Sequence, residues 1–158
     1  MLMSTMANRY AHLLLKSRAA GTLLPTLTQD AELTLDDAYD IAKCLLDIRI
    51  AQGETPVGRK IGFSNRKLWT RYGKSAPLTG PIWSTLFDST VHFAMDNVGL
   101  HKLTKAQQPR IEPELVFKLA RAPEPDIDLE GMAACLEWMA HGFEIVVSPF
   151  RQDRKSTR

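Results

Sequence analysis

Long apolar runs are missing from this chain of 158 residues, and the longest early one is only Leu13-Leu14-Leu15. A bilayer-spanning helix needs about 18 to 20 consecutive apolar residues, so none is expected. Met1 to Met6 lacks a charged region leading into a long apolar stretch and a small-residue cleavage site, so no secretory signal is expected and the cytoplasm is the default location. Cysteine is scarce too: Cys44 and Cys135 lie far apart, with no cysteine or histidine at zinc-ligand spacing, and are read most simply as free thiols in a reducing compartment. His12, His92, His101 and His141 show neither metal spacing nor a recognisable nucleophile partner, which leaves a Ser-His-Asp or Cys-His device without support. The phosphate-loop pattern is likewise missing, although Lys60 stands between Gly58 and Gly62.

Charge of one sign is also lacking. The formal net charge is +2, and the stretch Arg151 to Arg158, with four bases and one acid, supplies more than all of it. The body is close to neutral, so no nucleic-acid footprint across the fold is expected, and residues 151–158 read as a solvated, disordered basic tail. What is present is a composition of 44% apolar and 24% charged residues, enough for one ordinary globular domain with a sizeable core.

Periodicity divides that domain in two. Residues 5 to 20 place Ala7, Tyr10, Ala11 and Leu14 on one side of a helix that ends at Gly21, and Pro25 discourages a helix in the connector after it. Thr34 followed by Asp36 and Asp37 is a good N-cap for a helix running to about Gln52, with Ile41, Ala42, Leu45 and Ile48 buried and Gly53 as its stop. Strands are expected at 56 to 63, 86 to 93, 110 to 120 and 143 to 147. Asn65 or Ser64 is expected to cap a brief helix through Trp69 to Tyr72, and residues 73 to 84 a Gly- and Pro-rich loop. A crossover helix is expected from Leu129 to Ala140, striped by Met132, Cys135, Leu136 and Met139. The class is α+β, with a helical region 1–55, a strand-rich region 56–150 and the tail 151–158.

The strand at 110 carries Glu112 and Glu114, which period-two alternation places on one face. Glu144 can join them from a neighbouring strand. Ile111, Leu115, Phe117 and Leu119 take the opposite parity and form the expected core face, while Pro113 implies an edge position or a bulge. Three carboxylates converging in an apolar setting are unfavourable without a cation between them, and hard oxygen ligands suit Mg²⁺ or Mn²⁺. A merely solvated acidic face would show the same alternation, and Lys118 on that face favours it. A lysine in a short strand, such as Lys60, is more often exposed than functional, but one close to such carboxylates would keep its charge and could neutralise an anionic substrate or a developing enolate.

Taken in order, Gly58-Arg59-Lys60-Ile61-Gly62-Phe63-Ser64-Asn65, Arg71-Tyr72-Gly73, Ala76-Pro77, Gly80-Pro81-Ile82-Trp83, Glu112-Pro113-Glu114 and His141-Gly142-Phe143-Glu144-Ile145-Val146 resemble the 2-keto-4-pentenoate hydratase branch of the fumarylacetoacetate hydrolase superfamily. The resemblance runs from about residue 5 to residue 150. It implies a mixed β-roll, an Mg²⁺ or Mn²⁺ held by Glu112, Glu114 and Glu144, and Lys60 in the active site. In such enzymes the metal chelates the C1 carboxylate and C2 oxygen of a small 2-oxo acid from aromatic-compound breakdown and stabilises the enolate. Relatives use the same device for decarboxylation or carbon–carbon hydrolysis.

Two departures temper what the resemblance implies. Hydratases commonly carry an acid–base aspartate in a Pro-Asp-x-Gly loop, and the loop here reads Pro77-Leu78-Thr79-Gly80. Family members also continue well beyond the Gly-Phe-Glu strand, whereas the pattern is lost here after Phe150. The expectation is therefore an incomplete β-roll with exposed sheet edges. It allows a homo-oligomer, or a non-catalytic chain associated with a full-length relative.

Overall fold

The computed structural model describes residues 5–29, 32–67, 69 and 80–151. Among these the chain forms two compact units, one running up to Lys105 and including Pro149 and its neighbours, the other Ala106–Ser148.

The first unit begins with helices α1 (Thr5–Ala20) and α2 (Leu35–Ala51). Their apolar faces meet in a core of Ala7, Tyr10, Ala11, Ile41 and Cys44, flanked by Met6, Leu14, Leu27, Leu33, Leu45 and Ile48. Small alanines on α1 let the two backbones approach, and tyrosine and leucine fill the remaining volume. Gly21 ends α1 at φ 67°, a conformation that costs other residues dearly, and a Cβ there would lie 3.0 Å from the Lys105 Cβ. The start of α2 is a capping box: Thr34 Oγ1 accepts from the Asp37 N–H at 3.1 Å, and Asp37 accepts from the Thr34 N–H at 2.9 Å. The Thr34 hydroxyl, which donates to the Asp37 carboxylate at 2.7 Å, and then the Thr34 N–H hold the Asp37 carboxyl below its usual range. Burial, aided by the charges of Asp47 and Asp40, pushes the Cys44 thiol up, as befits an inert thiol, and neither Cys44 nor Cys135 forms a disulfide.

Strands β1 (Pro56–Gly62) and β2 (Ile82–Phe87) form an antiparallel pair with a bulge between Pro56 and Gly58. The strand expected at 86 to 93 lies earlier than its residues suggested: Asp88–Thr90 is a short 3₁₀ turn, in which Asp88 exchanges bonds with the Thr55 backbone. Asp, Ser and Thr side chains compete with ladder hydrogen bonds, which explains the stop at Phe87. A bidentate pair closes the same corner. Arg49 Nε donates to Glu54 at 2.7 Å, Ser89 Oγ donates to the same carboxylate, and the Arg49 guanidinium stacks 3.7 Å above the buried Phe87 ring. Asn65 Oδ1 accepts from the Lys67 N–H, but residues 68 and 70–79, with most of the expected brief helix and Pro77 to Thr79 of the following loop, lie outside the described residues, as do 152–158 of the tail.

In the second unit β3 (Arg110–Leu119) pairs antiparallel with β4 (Leu136–Val146). The expected helix from Leu129 to Ala140 is corrected here: Asp128 caps a helix α3 of five residues, Leu129–Ala133, and the chain then turns at Ala134 and Cys135 into β4. Ala120 donates to the Cys135 carbonyl at 2.8 Å, so pairing with β3 takes over where the helical pattern could have continued. The connection joins antiparallel neighbours and is no crossover. Pro113 sits in a strand whose only ladder among the described residues is with β4, in keeping with an edge. The face expected as core is instead open, with Ile111 65%, Leu115 64% and Phe143 68% exposed.

Among the described residues no helix is long and apolar enough to cross a membrane.

Candidate metal centre

Antiparallel pairing converts two short sequence motifs into one cluster. Glu112 stands directly across from Glu144, and the next same-face rung sets Glu114 across from Gly142. Side chains on directly opposed and diagonal positions of one face are within reach of each other, so Glu144 borders both acids of β3. One carboxylate oxygen from each of Glu112, Glu114 and Glu144 can be chosen so that all lie within 4.8 Å of one another. Glu112 is exposed, and Glu114 and Glu144 are half-buried.

Such a donor set is chemically narrow. It offers three anionic oxygens and no thiolate or imidazole, which suits a hard divalent cation and not a soft metal. His92 and His101 approach each other with ring centroids 5.8 Å apart, but no third ligand joins them among the described residues.

Lys118 shares the acidic face and stands beyond Val116 along β3. Its ammonium donates to Glu137 at 2.8 Å, so the positive charge on this face is engaged at the far end of the ladder. Lys60 lies in the other unit, on the half-buried face of β1 between Gly58 and Gly62, with Ser84 opposite.

Gly142 is a site residue that the sequence reading passed over. A Cβ there would lie 2.9 Å from Val116 Cγ2, closer than carbon atoms tolerate, so the rung opposite Glu114 must carry glycine for this ladder to keep its shape. The signal was available, since an isolated glycine inside a strand often marks a close approach.

The fold has counterparts among solved structures. The chain superimposes with a TM-score of 0.81 on 4-oxalocrotonate decarboxylase from Pseudomonas putida G7 complexed with magnesium and adipate, at 22% identity, over 98% of this chain and 57% of that one. The same enzyme complexed with calcium and acetate gives 0.79. No protein-family model matches the sequence. Curated relatives do: 2-hydroxyhexa-2,4-dienoate hydratase of Comamonas testosteroni is 32% identical over 133 residues, covering 83% of this chain and 48% of the relative. A 4-oxalocrotonate decarboxylase of Pseudomonas sp is 30% identical over 145 residues, covering 91% of this chain and 54% of the relative. The resemblance read from the ordered motifs is therefore borne out, because these homologues and structural neighbours fit the 2-keto-4-pentenoate hydratase branch. The chain spans about half the length of the curated relatives it matches.

Proposed function

We propose that Glu112, Glu114 and Glu144 hold an Mg²⁺ or Mn²⁺ ion, and that the chain is part of a hydratase-like enzyme for small 2-oxo or 2-hydroxydienoic acids of aromatic catabolism. The observation that carries this reading is the mutual approach of three carboxylate oxygens within 4.8 Å across the β3–β4 ladder. When bound, the ion supplies Lewis-acid polarisation of a 2-oxo acid.

The residues of the chain have separable tasks in this scheme. The three carboxylates set the charge of the site and would hold the ion, with Glu114 and Glu144 half-buried and Glu112 open to solvent. Gly142 keeps the rung beside them free of a side chain. Lys60 contributes a positive charge that binds an anionic substrate or holds a proton near developing negative charge; its part rests on the motif match, since it belongs to the other unit.

Decarboxylation of an oxo acid is the second reading. Supporting it are the decarboxylases among the relatives and structural neighbours, together with the leucine at position 78, where hydratases commonly carry the acid–base aspartate. Carbon–carbon hydrolysis of an acylpyruvate is the third.

Two measurements test the proposal. Calorimetric titration with Mn²⁺ should give saturable binding that Glu114→Gln weakens at least tenfold; equal affinity in wild type and variant overturns the site. Incubation with Mg²⁺ and a panel of 2-oxo acids separates the reactions, since hydroxy-oxo acid, CO₂ and cleavage products each identify one. No turnover beside intact metal binding favours a non-catalytic chain acting with a partner.

A further inference from the structure

Arg59 and Lys60 are adjacent, alike in charge, and directed to opposite faces of β1. The Arg59 guanidinium carbon lies 4.7 Å from the centroid of the Trp83 ring, and Arg59 Nη1 donates to Thr85 Oγ1 at 3.0 Å. Trp83 in turn stacks on Tyr39 of α2, with centroids 5.3 Å apart and planes 25° from parallel. The Trp83 backbone N–H donates to Tyr39 Oη at 3.3 Å. Tyr39, Trp83 and the Arg59 guanidinium thus form one stack on the more exposed face of β1.

Lys60 has the other parity. Its same-face neighbours on β1 are Gly58 and Gly62, and across the ladder it meets Ser84 directly, with Ile82 and Leu86 on the diagonals. A Cβ at Gly62 would touch Ile82 Cγ1 at 3.4 Å, and one at Gly58 would touch Leu86 Cδ1 at 3.8 Å. Its own strand therefore offers Lys60 no side chain alongside.

Glycine-rich strands without a fully buried face specify their register weakly, β1 carries Gly58 and Gly62, and a slip of one residue sends every side chain to the other face. On β1 such a slip exchanges Arg59 for Lys60. Charge does not choose between them. The Trp83 face and the Thr85 hydroxyl do choose, because a planar guanidinium can stack and donate from its fork at once, whereas an ammonium is a compact point charge.

We propose that Trp83, held between Tyr39 and Arg59, is a positioning residue that locks the β1–β2 register and so keeps Lys60 on the half-buried face. The inference deepens the reading of Lys60 as an active-site amine and rests on it. Trp83 acts through Lys60 and is assigned no contact with substrate.

Reductive methylation of the full chain, followed by peptide mass spectrometry, tests this without requiring turnover. Relative to exposed Lys43, methylation of Lys60 should speed up about fivefold or more in Trp83→Ala and in Arg59→Gln. Trp83→Phe, which keeps an aromatic face, should restore the wild-type rate to within about twofold. Alkylation of the buried Cys44 thiol reports whether the unit stays folded. If Trp83→Ala exposes Cys44, the milder Arg59→Gln decides. Unchanged Lys60 reactivity in Arg59→Gln, or a Trp83→Phe variant as altered as Trp83→Ala, overturns the proposal. Undiminished turnover in Lys60→Met would instead overturn the catalytic reading of Lys60 and leave the register lock standing.

Discussion

Glu112 and Glu144 occupy the same rung of the β3–β4 ladder, one from each strand, with their side chains on one face. Like charges in directly opposed positions weaken a ladder by roughly 0.2 to 1 kcal/mol relative to a neutral pair. Glu144→Gln is therefore expected to raise the thermal midpoint of the metal-free chain slightly and to lower Mg²⁺ affinity at least tenfold. Calorimetric scans with and without Mg²⁺ check both signs. A variant stabilised by Mg²⁺ as strongly as wild type would contradict the assignment of Glu144.

Gly142 leads to a packing prediction. An added methyl at this position meets Val116 Cγ2 at 2.9 Å, and a β-branched valine has few rotamers with which to yield. Gly142→Ala should destabilise the second unit by about 1 to 3 kcal/mol, and Val116→Ala in the same chain should recover most of that. A denaturant-unfolding double-mutant cycle measures the coupling.

Acid should loosen the corner where α2 leads into β1. The bonds from Arg49 and then Ser89 hold the Glu54 carboxyl down to about 2, below its ordinary 4.5. Because the folded value is the lower one, this stabilisation is fully present above pH 4.5 and is lost as pH falls toward 2. Glu54→Gln should flatten the fall in stability over that window, measured by circular dichroism at stepped pH. Equal slopes in the two proteins would show that the pair contributes nothing there.

Thr34→Ala removes the acceptor for the Asp37 amide and one donor to the Asp37 carboxylate. Loss of such a cap costs about 1 kcal/mol, which should appear as a lower unfolding midpoint and faster hydrogen exchange in the first turn of α2. Thr34→Ser should behave nearly as wild type.

Local rules explain which parts of this chain were legible in its residues. Caps and glycine stops are written within a few positions, so both N-terminal helices and the Thr34 box follow directly from sequence. Alternation likewise places Glu112 and Glu114 on one face, and the ordered motifs bring Glu144 to them. Residues 129 to 140 misled because Met132, Cys135, Leu136 and Met139 satisfy a helical stripe, while the residues from Leu136 onward also serve as a strand. The choice is made by pairing with β3, a non-local partner whose register no short window contains. The stop at Phe87 lies in Asp88, Ser89 and Thr90, whose side chains make turn hydrogen bonds that compete with continued strand pairing.

The β3–β4 ladder also bears on how the cluster comes together. All three carboxylates belong to one antiparallel pair joined by a single connection inside the unit Ala106–Ser148. Zipping that pair brings Glu112, Glu114 and Glu144 into range at the loop-closure cost of one connection, with no contribution needed from α1 or α2. Assembly of the acidic cluster is thus a matter of one strand pairing, and a cation held there would tie β3 to β4 and stabilise that pairing itself.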